Sequence, residues 1–162
     1  MKIKGLVDED FVNYKKPSMY IAFPYCSFKC DKEAGCSICQ NSRLALEEDI
    51  DIPYNQIVKR YIKNPITKAI VLGGLEPFDS FGDLCGFVDY VRIFTEDDIV
   101  IYTGYTEEEY NSEKWRVLRK WLKRFPNIII KFGRFIPNQE KHYDEVLGVE
   151  LASPNQYARR IS

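Results

Sequence analysis

Residues 18–41 read SMYIAFPYCSFKCDKEAGCSICQN, an apolar run that passes straight into a loop carrying four cysteines. The run at 18–24 has the length and unbroken apolarity of a strand buried on both faces, the kind found in parallel sheets. A loop that leaves such a strand lies at the carboxyl end of the sheet, where α/β proteins bind their ligands.

The same signal recurs further along the chain. KAIVL at 68–72 ends in Gly73 and Gly74, and DIVIYT at 98–103 and NIIIKF at 127–132 complete the set of buried strands. Helical periodicity fills the gaps. A short helix is predicted at 42–48, and a clearer one at 54–63 carries Ile57, Tyr61 and Ile62 as its apolar stripe. The segment 80–94 places Phe81, Leu84, Cys85, Val88 and Val91 at helical spacing. A capping box of Thr106 and Glu109 opens a helix expected to reach about residue 124, acidic at its start and basic at its end. The first residues read as a polar arm, and the tail as turns around one apolar piece at 146–151.

Strand and helix therefore alternate, which predicts an α/β fold of right-handed βαβ units around a parallel sheet. The chain of 162 residues has no internal repeat or linker and reads as a single domain over 1–162. A complete eightfold barrel typically takes about 250 residues. The expected architecture is thus a partial, TIM-like barrel with one side open.

Composition bounds the function. With 45% hydrophobic and 29% charged residues the chain is an ordinary globular one, and a net charge of −1 gives no bulk field for nucleic acid or a membrane surface. No apolar run has membrane-spanning length and the start has no signal-peptide core, so a cytoplasmic protein is expected. In that reducing setting the five cysteines read as ligands or reactive groups rather than disulfides. A single histidine, His142, leaves little room for His-based metal sites or a Ser-His hydrolase.

Cys26, Cys30, Cys36 and Cys39 are separated by three, five and two residues. Thiolates at short spacing bind zinc or iron–sulfur. Structural zinc takes two well-separated pairs, and these gaps are cramped for that design, so the spacing leans toward iron–sulfur. A closed zinc site would use all four cysteines, whereas a catalytic cluster would use three and leave one iron free. In VLGGLEPF, 71–78, two glycines at a strand end admit close backbone approach, and Glu76 puts an acceptor that can hold an ammonium group on the ligand-binding side of the sheet, although taken alone the motif reads as a strand-to-helix turn with an exposed glutamate. Other conspicuous residues have plain readings. Cys85, Trp115 and Trp121 are expected to pack against the core, His142 to lie in a solvated loop, and Arg159 and Arg160 to be solvated, though the pair could dock a partner.

Together, the cysteine loop and GGLEP resemble the radical S-adenosylmethionine (SAM) superfamily, with its C-x3-C-x2-C loop after the first strand and GGEP after the second. GGLEP carries one residue more. The cysteine loop can be aligned in two ways, with Cys26, Cys30 and Cys39 as ligands, which FPYCSFKC and the CQN ending favour, or with Cys36 replacing Cys26. Within the superfamily, IYTGYTEEE at 101–109, FGRF at 132–135 and LASPNQYARRI at 151–161 resemble segments of the activating proteins of anaerobic ribonucleotide reductases. FGRF has Arg134 where that group has proline. The resemblance implies a [4Fe–4S] cluster and SAM as cofactors, with Ile38, Asn41, Gly73, Gly74, Glu76 and Thr103 at the SAM site. It also implies a 5′-deoxyadenosyl radical, a glycyl radical enzyme (an anaerobic ribonucleotide reductase) as partner, and a flavodoxin- or ferredoxin-like electron donor. Two rival readings stand beside it, a radical SAM enzyme modifying another peptide and a non-catalytic zinc-binding interaction module.

Overall fold

The computed structural model describes residues 1–162. In chain order the strands are β1 (Lys2–Ile3), β2 (Gly5–Asp10), β3 (Ser18–Phe23), β4 (Ile50–Asp51), β5 (Ala69–Gly74), β6 (Asp98–Tyr102), β7 (Ile128–Phe132), β8 (His142–Asp144), β9 (Val149–Leu151) and β10 (Tyr157–Arg160). The helices are α1 (Lys29–Ala34), α2 (Tyr54–Lys63), α3 (Phe81–Val91), α4 (Glu107–Asn111) and α5 (Arg116–Leu122). The main sheet has the order β10-β7-β6-β5-β3-β2. Its four central strands are parallel, in keeping with their largely apolar sequences, and helical crossovers join them.

Both edge strands are antiparallel, which makes the sheet mixed. The sequence had placed β2 in a polar arm and β10 in a turn-rich tail. Each is buried on one face at most, so neither carries the continuous apolar run that marks the interior strands. Their charges, GLVDED on one edge and YARR on the other, discourage edge-to-edge pairing with other chains.

Successive side chains on a strand point to opposite faces, and the two faces are covered differently. One carries Met19, Ile21, Phe23, Ile70, Leu72, Ile99, Ile101, Ile128, Ile130 and Phe132 into the larger core beneath the helices. The other packs Val71, Val100 and Ile129 against Tyr14 of the β2–β3 loop and Leu147 and Leu151 of the tail. Tyr20, Tyr102 and Lys131 share this second face nearer the carboxyl ends of the strands.

Several helical expectations are corrected. In α2 the buried stripe is Ile57, Val58 and Tyr61, and Ile62 is exposed. In α3 it is Leu84, Phe87, Val88 and Val91. Phe81, expected to point inward, stands at the exposed first residue after a 3-10 turn at Pro77–Ser80. Only a 3-10 turn, Leu44–Leu46, forms within 42–48.

The single helix predicted over 106–124 is α4, a 3-10 turn at Glu113–Trp115, and α5. Tyr110 and Trp115 both pack on Phe78, at ring separations of 5.9 and 5.3 Å. In one continuous helix five residues span about 140° of rotation, so the two rings would diverge. The break at Ser112, whose backbone is extended, lets both reach the core. Cys85 and Trp121 pack against the larger core as expected. His142 lies in β8, paired with Leu151 of β9, rather than in a loop. No helix is long and apolar enough to cross a membrane.

Candidate metal centre

The parallel register sets β3, β5, β6 and β7 side by side, so the segments after their last residues gather at one end of the sheet. Phe23 pairs with Gly74, and the Thr103 N–H donates to the Lys131 carbonyl at 2.9 Å. Between these segments lies a cavity of about 220 Å³ lined by Cys26, Cys30 and Cys39 together with Asn41, Gly74, Glu76, Thr103 and Lys131.

The three cysteines arrive by different local devices. Cys26 follows β3 after two residues, and its sulfur accepts from the Phe28 N–H at 3.2 Å. Phe28 then adopts a left-handed conformation, φ 52°, and starts α1, which carries Cys30. Asp31 of α1 accepts from the backbone N–H groups of Ile38 and Cys39, both at 2.8 Å, and folds the end of the loop back onto the helix. Burial pushes the Cys26 thiol up to about 12 and raises those of Cys30 and Cys39. Cys36 is exposed and lies outside the cavity wall.

Gly74 is required by the close packing of β5 on β3. Its φ is +81°, and a Cβ there would meet the backbone Cα of Ala22 at 2.7 Å. The neighbouring loop is fixed by Asn41, whose amide donates to the Gly74 carbonyl at 2.6 Å. Gly73 faces the Tyr20 ring instead of the cavity. Ile38 does not line the cavity either.

Glu76 is buried and already occupied. Its Oε1 accepts from the Phe78 N–H at 3.0 Å and the Thr103 hydroxyl at 2.8 Å, and its Oε2 accepts from the Gly104 N–H at 2.8 Å. A carboxylate has about four acceptor positions, so one remains, on Oε2. Burial raises its carboxyl to about 7 against these three donors. Lys131 supplies the opposite charge. It is buried in β7, its Nζ donates to the Gly133 carbonyl at 2.9 Å, and burial lowers it to about 8. Two of its three ammonium protons remain free for a ligand.

Sequence reasoning did not pick out Lys131, nor Tyr20, Tyr102 and Gln156 in the same wall. The signal was present for one of them: Lys131 interrupts the apolar run of residues 128–132, and a lysine inside a buried strand needs a partner or a task.

No group of three or more His, Cys, Asp or Glu side chains is gathered tightly enough to hold a single ion. Sulfurs on one zinc lie about 2.3 Å from it and so crowd together. Cys26, Cys30 and Cys39 border one cavity, which could admit a polynuclear cluster with these three sulfurs as its ligands. The donor set, three thiolates at one end of a cavity that also offers a carboxylate and an ammonium, fits such a cluster with a small charged ligand beside it.

The family model described as 4Fe–4S single cluster domain matches residues 17–151. No curated protein and no solved structure matches the chain.

Proposed function

The chain belongs to the 4Fe–4S single cluster domain family, and from that premise we propose that it is a radical SAM enzyme that activates a partner protein. Cys26, Cys30 and Cys39 hold the cluster, and Cys36 stands apart. Three thiolates for four irons leave one iron free to take a ligand. When bound, the cluster supplies the electron that splits the sulfonium of SAM into methionine and a 5′-deoxyadenosyl radical.

The observation that carries this reading is the pairing of Glu76 and Lys131 in the same cavity as the three sulfurs. An α-amino acid head group has an ammonium and a carboxylate. The free acceptor position on Glu76 Oε2 suits the first, and the Lys131 ammonium suits the second. Thr103 and Gly104 hold Glu76 in place for that contact. Asn41 ties the cysteine loop to Gly74, linking the cluster side of the cavity to the ligand side.

The barrel, the partner, the electron donor and the setting follow the resemblance. The second face of the sheet, with Tyr20, Tyr102 and Lys131, is the inner face of an incomplete barrel. Beyond the part of that face that Tyr14, Leu147 and Leu151 cover, a loop of a partner protein serves as the wall of the barrel. The partner is a glycyl radical enzyme, an anaerobic ribonucleotide reductase. A flavodoxin- or ferredoxin-like protein delivers the electron, and the setting is the cytoplasm.

The test is anaerobic reconstitution with iron and sulfide, followed by reduction in the presence of SAM. The expected result is a brown protein that releases 5′-deoxyadenosine. A colourless protein holding one zinc, or a loaded cluster that leaves SAM intact, would contradict the proposal.

A further inference from the structure

Arg134 follows β7 at the edge of the cavity, where the activating proteins that the sequence resembles have a proline. It is nearly buried, with 11% of its side chain exposed, and it meets two carboxylates. Its guanidinium grips Glu109 of α4 with both ends, Nη1 to Oε2 at 2.9 Å and Nη2 to Oε1 at 2.8 Å. The same Nη2 lies 2.8 Å from Oε1 of Glu33, on the helix that carries Cys30. Lys29, one residue before Cys30, reaches Glu109 Oε1 at 2.6 Å. The cysteine helix is therefore tied to the body of the domain through one arginine and one glutamate.

The strand end that carries Arg134 is itself held. Asn155 donates to the Arg134 carbonyl at 2.9 Å and Gln156 to that of Gly133 at 3.3 Å, so the SPNQ and FGRF segments form one unit. A Cβ placed on Gly104 would lie 3.8 Å from Arg134 Cγ and 3.9 Å from Cys30 Sγ, so side chain and sulfur converge on one point. The Arg134 Nε is buried and has no hydrogen-bond partner. A buried N–H left unpaired is costly unless something accepts from it, and Arg134 shares the wall of a small adjoining cavity with Cys26 and Cys30.

We infer that Arg134 is a positioning residue for the cluster, fixing the Cys30 sulfur through Glu33 and Glu109 and holding a positive charge and a free N–H beside it, so that the cluster takes up its electron more readily than it would beside a neutral side chain. Hydrogen bonds and cations near the sulfurs raise the potential of iron–sulfur clusters. The inference rests on reading Cys30 as a ligand.

The test is the midpoint potential of the reconstituted cluster, read by a redox titration without SAM, with iron and sulfide counted per chain. Arg134→Gln is expected to move the potential to a more negative value, lowering the reduced fraction at a fixed donor potential on the order of tenfold, about 59 mV for one electron. Arg134→Lys, which keeps the charge and loses the fork, is expected to fall between. Glu109→Gln removes the counter-charge and is expected to move the potential the other way, which a loosened loop alone would not do. A loaded Arg134→Gln protein with the potential of the parent would overturn the inference. If that variant does not load, a Glu109→Gln protein with an unchanged or more negative potential would overturn it. A parent protein free of iron would overturn the cluster reading as well, whereas failure to cleave SAM leaves this measurement intact.

Discussion

Cys26, Cys30 and Cys39 owe their convergence to short-range geometry, a left-handed residue at Phe28, a six-residue helix and the two N–H contacts of Asp31. Cys36 has no such device and points outward. Cys26→Ser and Cys39→Ser are therefore expected to lose the cluster and Cys36→Ser to retain it, as counted by iron and sulfide in protein purified without oxygen. Lys131→Met keeps the volume and loses the charge. Its expected effect is a weakening of SAM binding by about 1.5–3 kcal/mol, roughly ten- to a hundredfold, with the iron content unchanged, read by equilibrium binding to the loaded protein. At this scale the cysteines stood out because their chemistry is visible in isolation, whereas Glu76 and Thr103 entered the SAM site only through the family resemblance. The sequence hid the use of Glu76, which spends three of its acceptor positions on its own chain. Pairing across strands creates that use, and no local pattern reports it.

At the scale of elements, β3, β5, β6 and β7 were legible because strands buried on both faces leave an unbroken apolar run. The edge strands were not, since β2 and β10 expose one face and carry the charges that guard a sheet edge. The helix break at Ser112 was hidden for another reason. Periodicity extends smoothly through 106–124, and only the demand that Tyr110 and Trp115 both reach Phe78 interrupts it. The junction of β5 with the site gives the clearest test here. Gly74→Ala must accept a left-handed backbone and a contact of 2.7 Å with Ala22, and is expected to cost about 2–4 kcal/mol. A denaturant midpoint lowered to match would agree, and parent-like stability would show that β3 and β5 can separate without cost.

Across the whole molecule, the end of the sheet opposite the cavity is stapled by Asp98, at the start of β6. It accepts from Tyr14 of the β2–β3 loop at 3.0 Å, from Lys16 at 2.5 Å and from Arg160 of β10 at 2.9 Å. Burial pushes its carboxyl up, but these three donors together hold it below the ordinary carboxylate range. The stability it contributes is thus fully present above about pH 3.9 and is lost as the pH falls through its lower folded value. Asp98→Asn is expected to be less stable than the parent at neutral pH by about 1.5–3 kcal/mol, with the gap closing in acid, as thermal melts across pH would reveal. Arg160 and Lys16 thereby tie both sequence ends to the central strands, a role the reading of Arg159 and Arg160 as merely solvated had missed. Arg159 likewise pairs with Glu107 of α4, at 3.3 Å. Stapled at this end, the domain keeps its other end for the cysteine loop and the Glu76–Lys131 pair.

The most direct measurement is the electron paramagnetic resonance spectrum of the reduced, reconstituted protein before and after SAM is added. A cluster held by three sulfurs, with one iron free for the ligand, is expected to change its spectrum on SAM addition, and to do so less in Lys131→Met. A spectrum identical with and without SAM would mean that every iron is already capped by the protein, and would contradict the account.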